Sequence, residues 1–349
     1  MAEGRNCFFP DCLTWWTAVP DYPKSTFSVA PMMDWTDRHD RYLLRVISRR
    51  VRLYTEMATT GALIHGPRER LLRFDPSEHP VALQLGGSDA ADLADCAAMG
   101  ADAGYDEINL NCGCPSDRVQ NGAFGAILMR NASHVAECVA AMKARVPVPV
   151  TVKCRIGVDE QEPEEVLPDF VRRVADAGAD AVIVHARKAW LSGLSPKENR
   201  DVPPLDYGLV HRLKERFPDL PIILNGGLET LDAAAAHMDR LDGVMLGRAA
   251  YHRPMLLAEV DGRFFGEEAP PPDLATVIEG YLEHVEREML SGTPLPHMTR
   301  HMLGLAHGMS GARSFRRILG EESRQPGAGP ETIRRALAAV DVTAAPVAA

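Results

Sequence analysis

Eight short β-rich runs, each followed by a stretch of helical character, constrain this chain more than any other feature. The runs cover residues 27–32, 52–57, 81–85, 107–111, 149–155, 181–187, 221–226 and 243–248. Several are apolar throughout, as in Pro-Ile-Ile-Leu and Ala-Val-Ile-Val, a composition that suits a strand with both faces covered. Between them lie amphipathic stretches at 89–99 (with Ser88 as N-cap), 133–146, 164–177, 207–217 and 229–241. Strict alternation predicts parallel strands sheathed by helices, and eight units predict an α/β fold of the TIM-barrel type, (β/α)8, over residues 26–268. An open doubly wound sheet would need a glycine-rich turn after the first strand, where this chain has Ala30-Pro31-Met32-Met33.

The flanks read differently. Residues 1–25 show no periodicity and are expected to form an arm or a poorly ordered extension. After the Pro-rich joint Ala269-Pro270-Pro271-Pro272, residues 269–349 carry no strand signal and predict a small all-α C-terminal domain, with helices at 273–290, 298–319 and 331–340. Glu279, Glu283, Glu286 and Glu288 of its first helix read as a solvated face. The stretch 289–320 has no carboxylate, yet it collects Arg300, Arg313, Arg316 and Arg317 with His297, His301 and His307. Chance clustering and pairing with carboxylates elsewhere are alternatives; a phosphate-facing patch is the preferred reading.

Composition narrows the setting. No run approaches the ~18 apolar residues of a membrane span, and the N-terminus does not resemble a signal peptide, so a cytoplasmic protein with no membrane partner is expected. Seven cysteines form neither a disulfide framework nor a paired zinc pattern, so reduced thiols and no metal are expected. A net charge of −10 argues against non-specific nucleic-acid binding, while leaving room for a local basic docking patch.

If the barrel closes, its strand ends share one mouth. They bring together Pro31 and Met32, Glu56 and Met57, Gln84, Asn109 and Asn111, Lys153 and Arg155, His185 and Arg187, Asn225 with Gly226 and Gly227, and Gly247 with Arg248. Each alone has a bland alternative as a cap or a satisfied core residue; so many polar groups ending apolar strands describe a site. Two glycine turns beside Arg248 suit a phosphate, at the corner where barrels bind it. Lys153 and His185 can donate to an electron-rich ring, and Gln84 can pair both edges of an amide. A phosphate corner facing a hydrogen-bonding ring suits flavin mononucleotide, FMN, with phosphate-only binding as the alternative. Cys114, between Gly113 and Pro115, lies on a bend in polar surroundings. It is a candidate reactive thiol, against the alternative of a buried inert cysteine.

These segments together resemble one family. Val29-Ala-Pro-Met-Met-Asp-Trp-Thr-Asp, Thr55-Glu-Met, Leu83-Gln-Leu-Gly-Gly, Asn109-Leu-Asn-Cys-Gly-Cys-Pro-Ser, Val152-Lys-Cys-Arg-Ile-Gly, Val184-His-Ala-Arg and Asn225-Gly-Gly are similar to motifs of the tRNA-dihydrouridine synthases. The segment from His185 to Arg200 resembles the A-type branch. The resemblance implies an FMN barrel with a helical domain, NADPH as reductant, tRNA as partner, and reduction of D-loop uridines at positions 20 and 20a. It implies that Cys114 is the proton donor. Pro31, Met32, Met33, Gln84, Lys153, His185, Asn225, Gly226, Gly227, Gly247 and Arg248 would contact the flavin. Asn111, Arg155, Arg187 and Lys188 would meet the tRNA, and no protein partner is implied; Arg300, Arg313 and Arg316 are expected tRNA contacts on the charge pattern of the basic stretch alone.

The chemistry agrees with the residues. Reducing the uracil 5,6 double bond takes hydride at C6 and a proton at C5, which a flavin and an acid supply. A thiol of ordinary pKa, ~8.5, is still protonated at neutral pH and can give that proton. The uridine must be flipped out of its stack, at a cost of a few kcal/mol. Two other classes compete: an FMN barrel acting on a free pyrimidine or small enone, which has no use for the arginine stretch, and a non-catalytic RNA-binding or chaperone protein, which has none for Cys114 or Lys153.

Overall fold

A computed structural model describes residues 22–23, 26–116 and 123–341. The eight strands are present: β1 Thr26–Val29, β2 Leu53–Thr59, β3 Val81–Gly86, β4 Glu107–Cys112, β5 Val150–Arg155, β6 Ala181–His185, β7 Ile222–Asn225 and β8 Gly243–Leu246. All laddered pairs are parallel, in the order β1-β8-β7-β6-β5-β4-β3-β2. This is the strand order of a TIM barrel, but the barrel is half-closed. Between β1 and β2 no ladder forms; a single bridge, Ser28 to Arg52, joins them. β1 is short because Pro31 cannot donate to a ladder and the chain turns at Met32, whose carbonyl accepts from Trp35 and Thr36. Nearer the mouth the seam is crossed by a side chain, Glu56 Oε1 accepting from the Asp34 N–H at 2.5 Å. Asp34 sits at φ 65°, a conformation that costs a non-glycine residue about 1–2 kcal/mol.

The barrel's inner core is small and mixed. Tyr22, Ala30, Tyr54, Ala82, Ala181, Ile183, Ile223 and Met245 form it. Tyr22 belongs to the stretch expected to be a loose extension, yet it is buried, and the Arg52 guanidinium lies 5.2 Å from its ring centre. Beside it Glu107, with no exposed surface, accepts from Arg52 (3.0 Å), Tyr54 (2.6 Å) and Thr151 (2.5 Å). A buried charge is tolerable only when so paired; deleting one partner of such a pair costs about 3–5 kcal/mol.

The helical reading needs four corrections. Asp89, not Ser88, caps the third-strand helix, its carboxylate accepting from Ala91 and Asp92. The stretch 229–241 shortens to Leu231–Met238, capped by Thr230. Gly247 and Arg248 leave β8, Arg248 opening a short helix, Arg248–His252. The helix expected at 298–319 is two, Pro296–Met302 and Ala312–Glu321. Gly308 and Gly311 between them take positive φ, and a Cβ at Gly304 would stand 2.4 Å from the His252 carbonyl oxygen, so the chain turns where a helix would clash.

The first two C-terminal helices, Leu274–Leu290 and Pro296–Met302, pack on α1, Arg38–Ile47, a helix absent from the sequence reading. The first of them, Leu274–Leu290, starts at its cap Asp273 and buries Leu274, Val277, Ile278, Tyr281, Leu282 and Val285, one stripe of 3.6 periodicity. Each such side chain contributes roughly 1.5–3 kcal/mol. Its acidic residues are not all solvated. Glu288 is 2 % exposed and pairs with Arg38 (2.5 Å) and Arg73 (2.9 Å). Opposing forces act on its carboxyl: burial raises its pKa, but the Arg38 hydrogen bond and charge outweigh burial and bring it to about 2. His39 and His284 meet ring to ring at 2.9 Å in the same interface. Among the described residues no helix is long and apolar enough to cross a membrane.

Candidate active site

The strand ends surround a cavity of about 840 Å³, within the range of small-ligand sites. Pro31, Met32, Met33, Gln84, Lys153, His185, Asn225, Gly226, Gly227, Gly247 and Arg248 all line it, as do Asn111, Cys114 and Arg155. Arg187 and Lys188 lie outside that lining. Trp35, His252 and Arg253 also line the cavity, and sequence reasoning passed over them. Trp35 stacks on Tyr251 with ring centres 4.4 Å apart, a contact between residues 216 positions apart that local pattern cannot show.

One corner is shaped by glycine. Gly226 and Gly227 take φ 108° and 70°, and a Cβ at either would meet His185 at 2.6 Å or Leu205 at 2.4 Å. No other residue fits that turn. A Cβ at Gly247 would meet nothing closer than Met32 Sδ at 3.9 Å, so room remains beside it. Arg248 stands at this corner, paired with Asp201 at 2.6 Å and partly exposed.

The opposite wall carries the titratable groups. Lys153 Nζ donates to Asn225 Oδ1 at 3.0 Å, and Asn225 in turn donates to the Met245 carbonyl. Burial, with Arg155 nearby, pulls the Lys153 pKa down to about 8. His185, half-buried beside Arg155, Lys153 and Arg187, is held well below its usual range by desolvation and by those cations, and stays a neutral imidazole.

Cys114 and Cys112 separate cleanly. Cys114 is partly exposed to the cavity, its Sγ 3.4 Å from Ser116 Oγ. Cys112 is fully buried, and burial pushes its thiol well above the usual range. The Cys114 loop is held by Asn111, whose Oδ1 accepts from the N–H groups of Gly113 (3.1 Å) and Cys114 (3.0 Å). The polar side chains that looked free in sequence are partly committed. Gln84 donates to Asn109 and accepts from Asn111, so one face of its amide is already paired within the protein.

The expected RNA contacts divide. Arg155 is 3 % exposed and donates to the carbonyls of Gly113 (3.1 Å) and Asn199 (2.9 Å), tying the Cys114 loop to the 190s loop. Arg187 bonds the carbonyls of Pro203 and Asp201, while its buried Nε has no hydrogen-bond partner among the described residues. Lys188 lies over the Trp190 ring. Arg300 is paired with Asp37 at 2.6 Å, and Arg317 with Glu322 at 3.4 Å. Arg313 and Arg316 are exposed with no carboxylate partner among the described residues.

A glycine-only turn with space beside it, Arg248 at that corner, and a half-buried lysine facing an amide fit a phosphorylated, ring-bearing cofactor. Comparison with known proteins decides which. A profile described as "Dihydrouridine synthase (Dus)" matches residues 28–341. The chain belongs to the dihydrouridine synthase family. The tRNA-dihydrouridine(20/20a) synthase of Vibrio cholerae is 56% identical over 314 residues, covering 90% of this chain and 96% of its own. That of Escherichia coli K12 is 56% identical over 312 residues, covering 89% of this chain and 90% of its own. Among solved structures, a 2-naphthoyl-CoA reductase complex superposes with a TM-score of 0.53 at 12% identity, over 67% of this chain and 49% of that one. Morphinone reductase gives 0.50 at 14%, over 72% and 88%. These two show a shared fold. The family's reaction is the FMN-dependent reduction of uridine to dihydrouridine in tRNA, and this dihydrouridine synthase is an enzyme of that kind.

Proposed function

We propose that this chain reduces uridines 20 and 20a of the tRNA D-loop, with NADPH as reductant and Cys114 as the acid. The reading is carried by one observation: Cys114, among the described residues the one partly exposed thiol, lines the same cavity as the glycine corner and Lys153. FMN, held there, would supply the hydride needed at C6 of uracil. The residues listing toward it divide the work. Gly226, Gly227, Gly247 and Arg248 would hold its phosphate, Arg248 being able to turn from Asp201 to that anion. Lys153, His185, Gln84 and Asn225 bond its ring, and Pro31, Met32 and Met33 pack against it. Lys153, with a pKa near 8, keeps a proton at neutral pH and places positive charge where negative charge develops.

Cys114 Sγ gives its proton to C5, breaking S–H as C5–H forms, and the thiolate is reprotonated from solvent. Asn111 keeps that sulfur in place through the loop backbone. The barrel over residues 26–268 does the chemistry. The helices of 269–349, through Arg313 and Arg316, and the rim through Arg187 and Lys188, bind tRNA phosphate and offset the cost of base flipping. Location in the cytoplasm is part of the same proposal.

The test is direct. Denaturing the purified protein releases FMN; NADPH bleaches the bound flavin, and unmodified tRNA restores the colour with dihydrouridine at 20 and 20a. Release of FAD, restoration by free uracil alone, or dihydrouridine confined to other positions would overturn the corresponding part.

A further inference from the structure

A continuous hydrogen-bonded chain runs through the barrel from its base to the Cys114 loop. Thr151 Oγ1 donates to Glu107 Oε1 (2.5 Å), Asn109 Nδ2 to Thr151 Oγ1 (2.8 Å), Gln84 Nε2 to Asn109 Oδ1 (2.8 Å), and Asn111 Nδ2 to Gln84 Oε1 (2.8 Å). Asn111 Oδ1 then accepts from the N–H of Cys114 at 3.0 Å. Every link donates in one direction, toward Glu107. The reason is chemical: the Glu107 carboxylate can only accept, and the backbone N–H groups at the far end can only donate. Between these fixed ends each amide has one allowed orientation, since turning any of them would set donor against donor and acceptor against acceptor. Glu107, Thr151 and Asn109 have no exposed surface, so water cannot repair a broken link.

We infer that Glu107 and Thr151 are positioning residues for Cys114, acting through Asn109, Gln84 and Asn111. Neither lines the cavity. Their effect is to lock Asn111, and thereby the loop bearing the thiol, from the opposite end of the barrel. The inference rests on the proposal that Cys114 is the acid.

Thr151→Val keeps the volume of the side chain and removes the link. It should slow the oxidation of the reduced holoenzyme by tRNA about tenfold, the scale of one buried group left unpaired. Bleaching by NADPH should stay within about twofold of the parent, and FMN affinity, followed by flavin fluorescence, should fall less than the tRNA step does, since Gln84 is both a link of the chain and a flavin contact. Thr151→Ser, which keeps the hydroxyl, should restore the tRNA step. The deciding measurement is the combination with Cys114→Ala: if the chain acts through that thiol, Thr151→Val adds nothing in the Cys114→Ala background. Additive losses, failure of Thr151→Ser to rescue, or a Thr151→Val enzyme as fast as its parent would each overturn the inference. Should Cys114→Ala alone leave the tRNA step unchanged, the acid assignment fails and the inference with it; Thr151→Val failing while Cys114→Ala behaves as proposed removes the inference alone.

Discussion

Asn111 holds Cys114 by its backbone rather than by its sulfur, the Asn111 Oδ1 accepting the Cys114 N–H at 3.0 Å. The thiol is therefore fixed in place yet left able to give up its proton. Cys114→Ala should slow dihydrouridine formation by about 10²-fold, the usual scale for a general acid, while flavin binding and reduction by NADPH persist. Cys112→Ala removes a packed core atom and should lower stability by roughly 1 kcal/mol with little change in rate. Equal effects of the two substitutions on single-turnover rates would refute the assignment.

Arg313 and Arg316 are the arginines of the basic stretch left without a carboxylate among the described residues, whereas Arg300 and Arg317 are engaged. Neutralising Arg313 and Arg316 together should weaken tRNA binding and flatten the dependence of log K on log salt by roughly 1–2 units. Neutralising Arg317 should change the slope less. Filter-binding titrations across salt concentrations separate these outcomes, with flavin content as the control.

Arg155, nearly buried between two loop carbonyls, is a strut in this structure. Arg155→Lys cannot reach both carbonyls with one ammonium, and should lower the rate of the tRNA step about tenfold while leaving the salt slope of tRNA binding as it was. A slope that falls by about one unit would instead make Arg155 a phosphate contact.

Acid should loosen the interface between α1 and the C-terminal helices in two stages. Burial holds His39 near 3 and His284 near 4, below the ordinary 6.5, so both stay neutral in the fold while the unfolded chain takes up protons. Stability is therefore lost as pH falls from about 6.5 to about 3, and above 4.5 the loss belongs to the histidines alone. Glu288 shifts the other kind of group in the same sense: with a folded pKa of about 2 against 4.5, its contribution is complete above 4.5 and lost between 4.5 and 2. Replacing both histidines, His39→Gln with His284→Gln, should flatten Tm between pH 6.5 and 4 and leave the lower stage. An unchanged Tm profile would show that the pair does not set it.

What could be read in advance was whatever repeats locally. Alternating apolar runs located all eight strands, and polar residues ending them located the cavity, because period and breakage are properties of neighbours in sequence. The Glu107 network escaped because Thr151 lies 44 residues from Glu107 and Arg52 lies 55, and nothing near any of them signals a partner. Tyr22 escaped for the same reason, its burial decided by Arg52 and the barrel interior rather than by its own segment. The split of the long basic helix was legible in Gly304, Gly308 and Gly311, whose spacing matters more than the arginines around them.

The pairing of Glu288 with Arg38 and Arg73 has a mechanical meaning. A tail that swung away from the barrel would strand a carboxylate that is buried in the closed arrangement, so the distance from Arg313 and Arg316 to the cavity is set by the fold. Under the proposed function, Arg313 and Arg316 would stand at a set distance from the cavity, and an RNA would have to bridge that span to bring its base to the mouth.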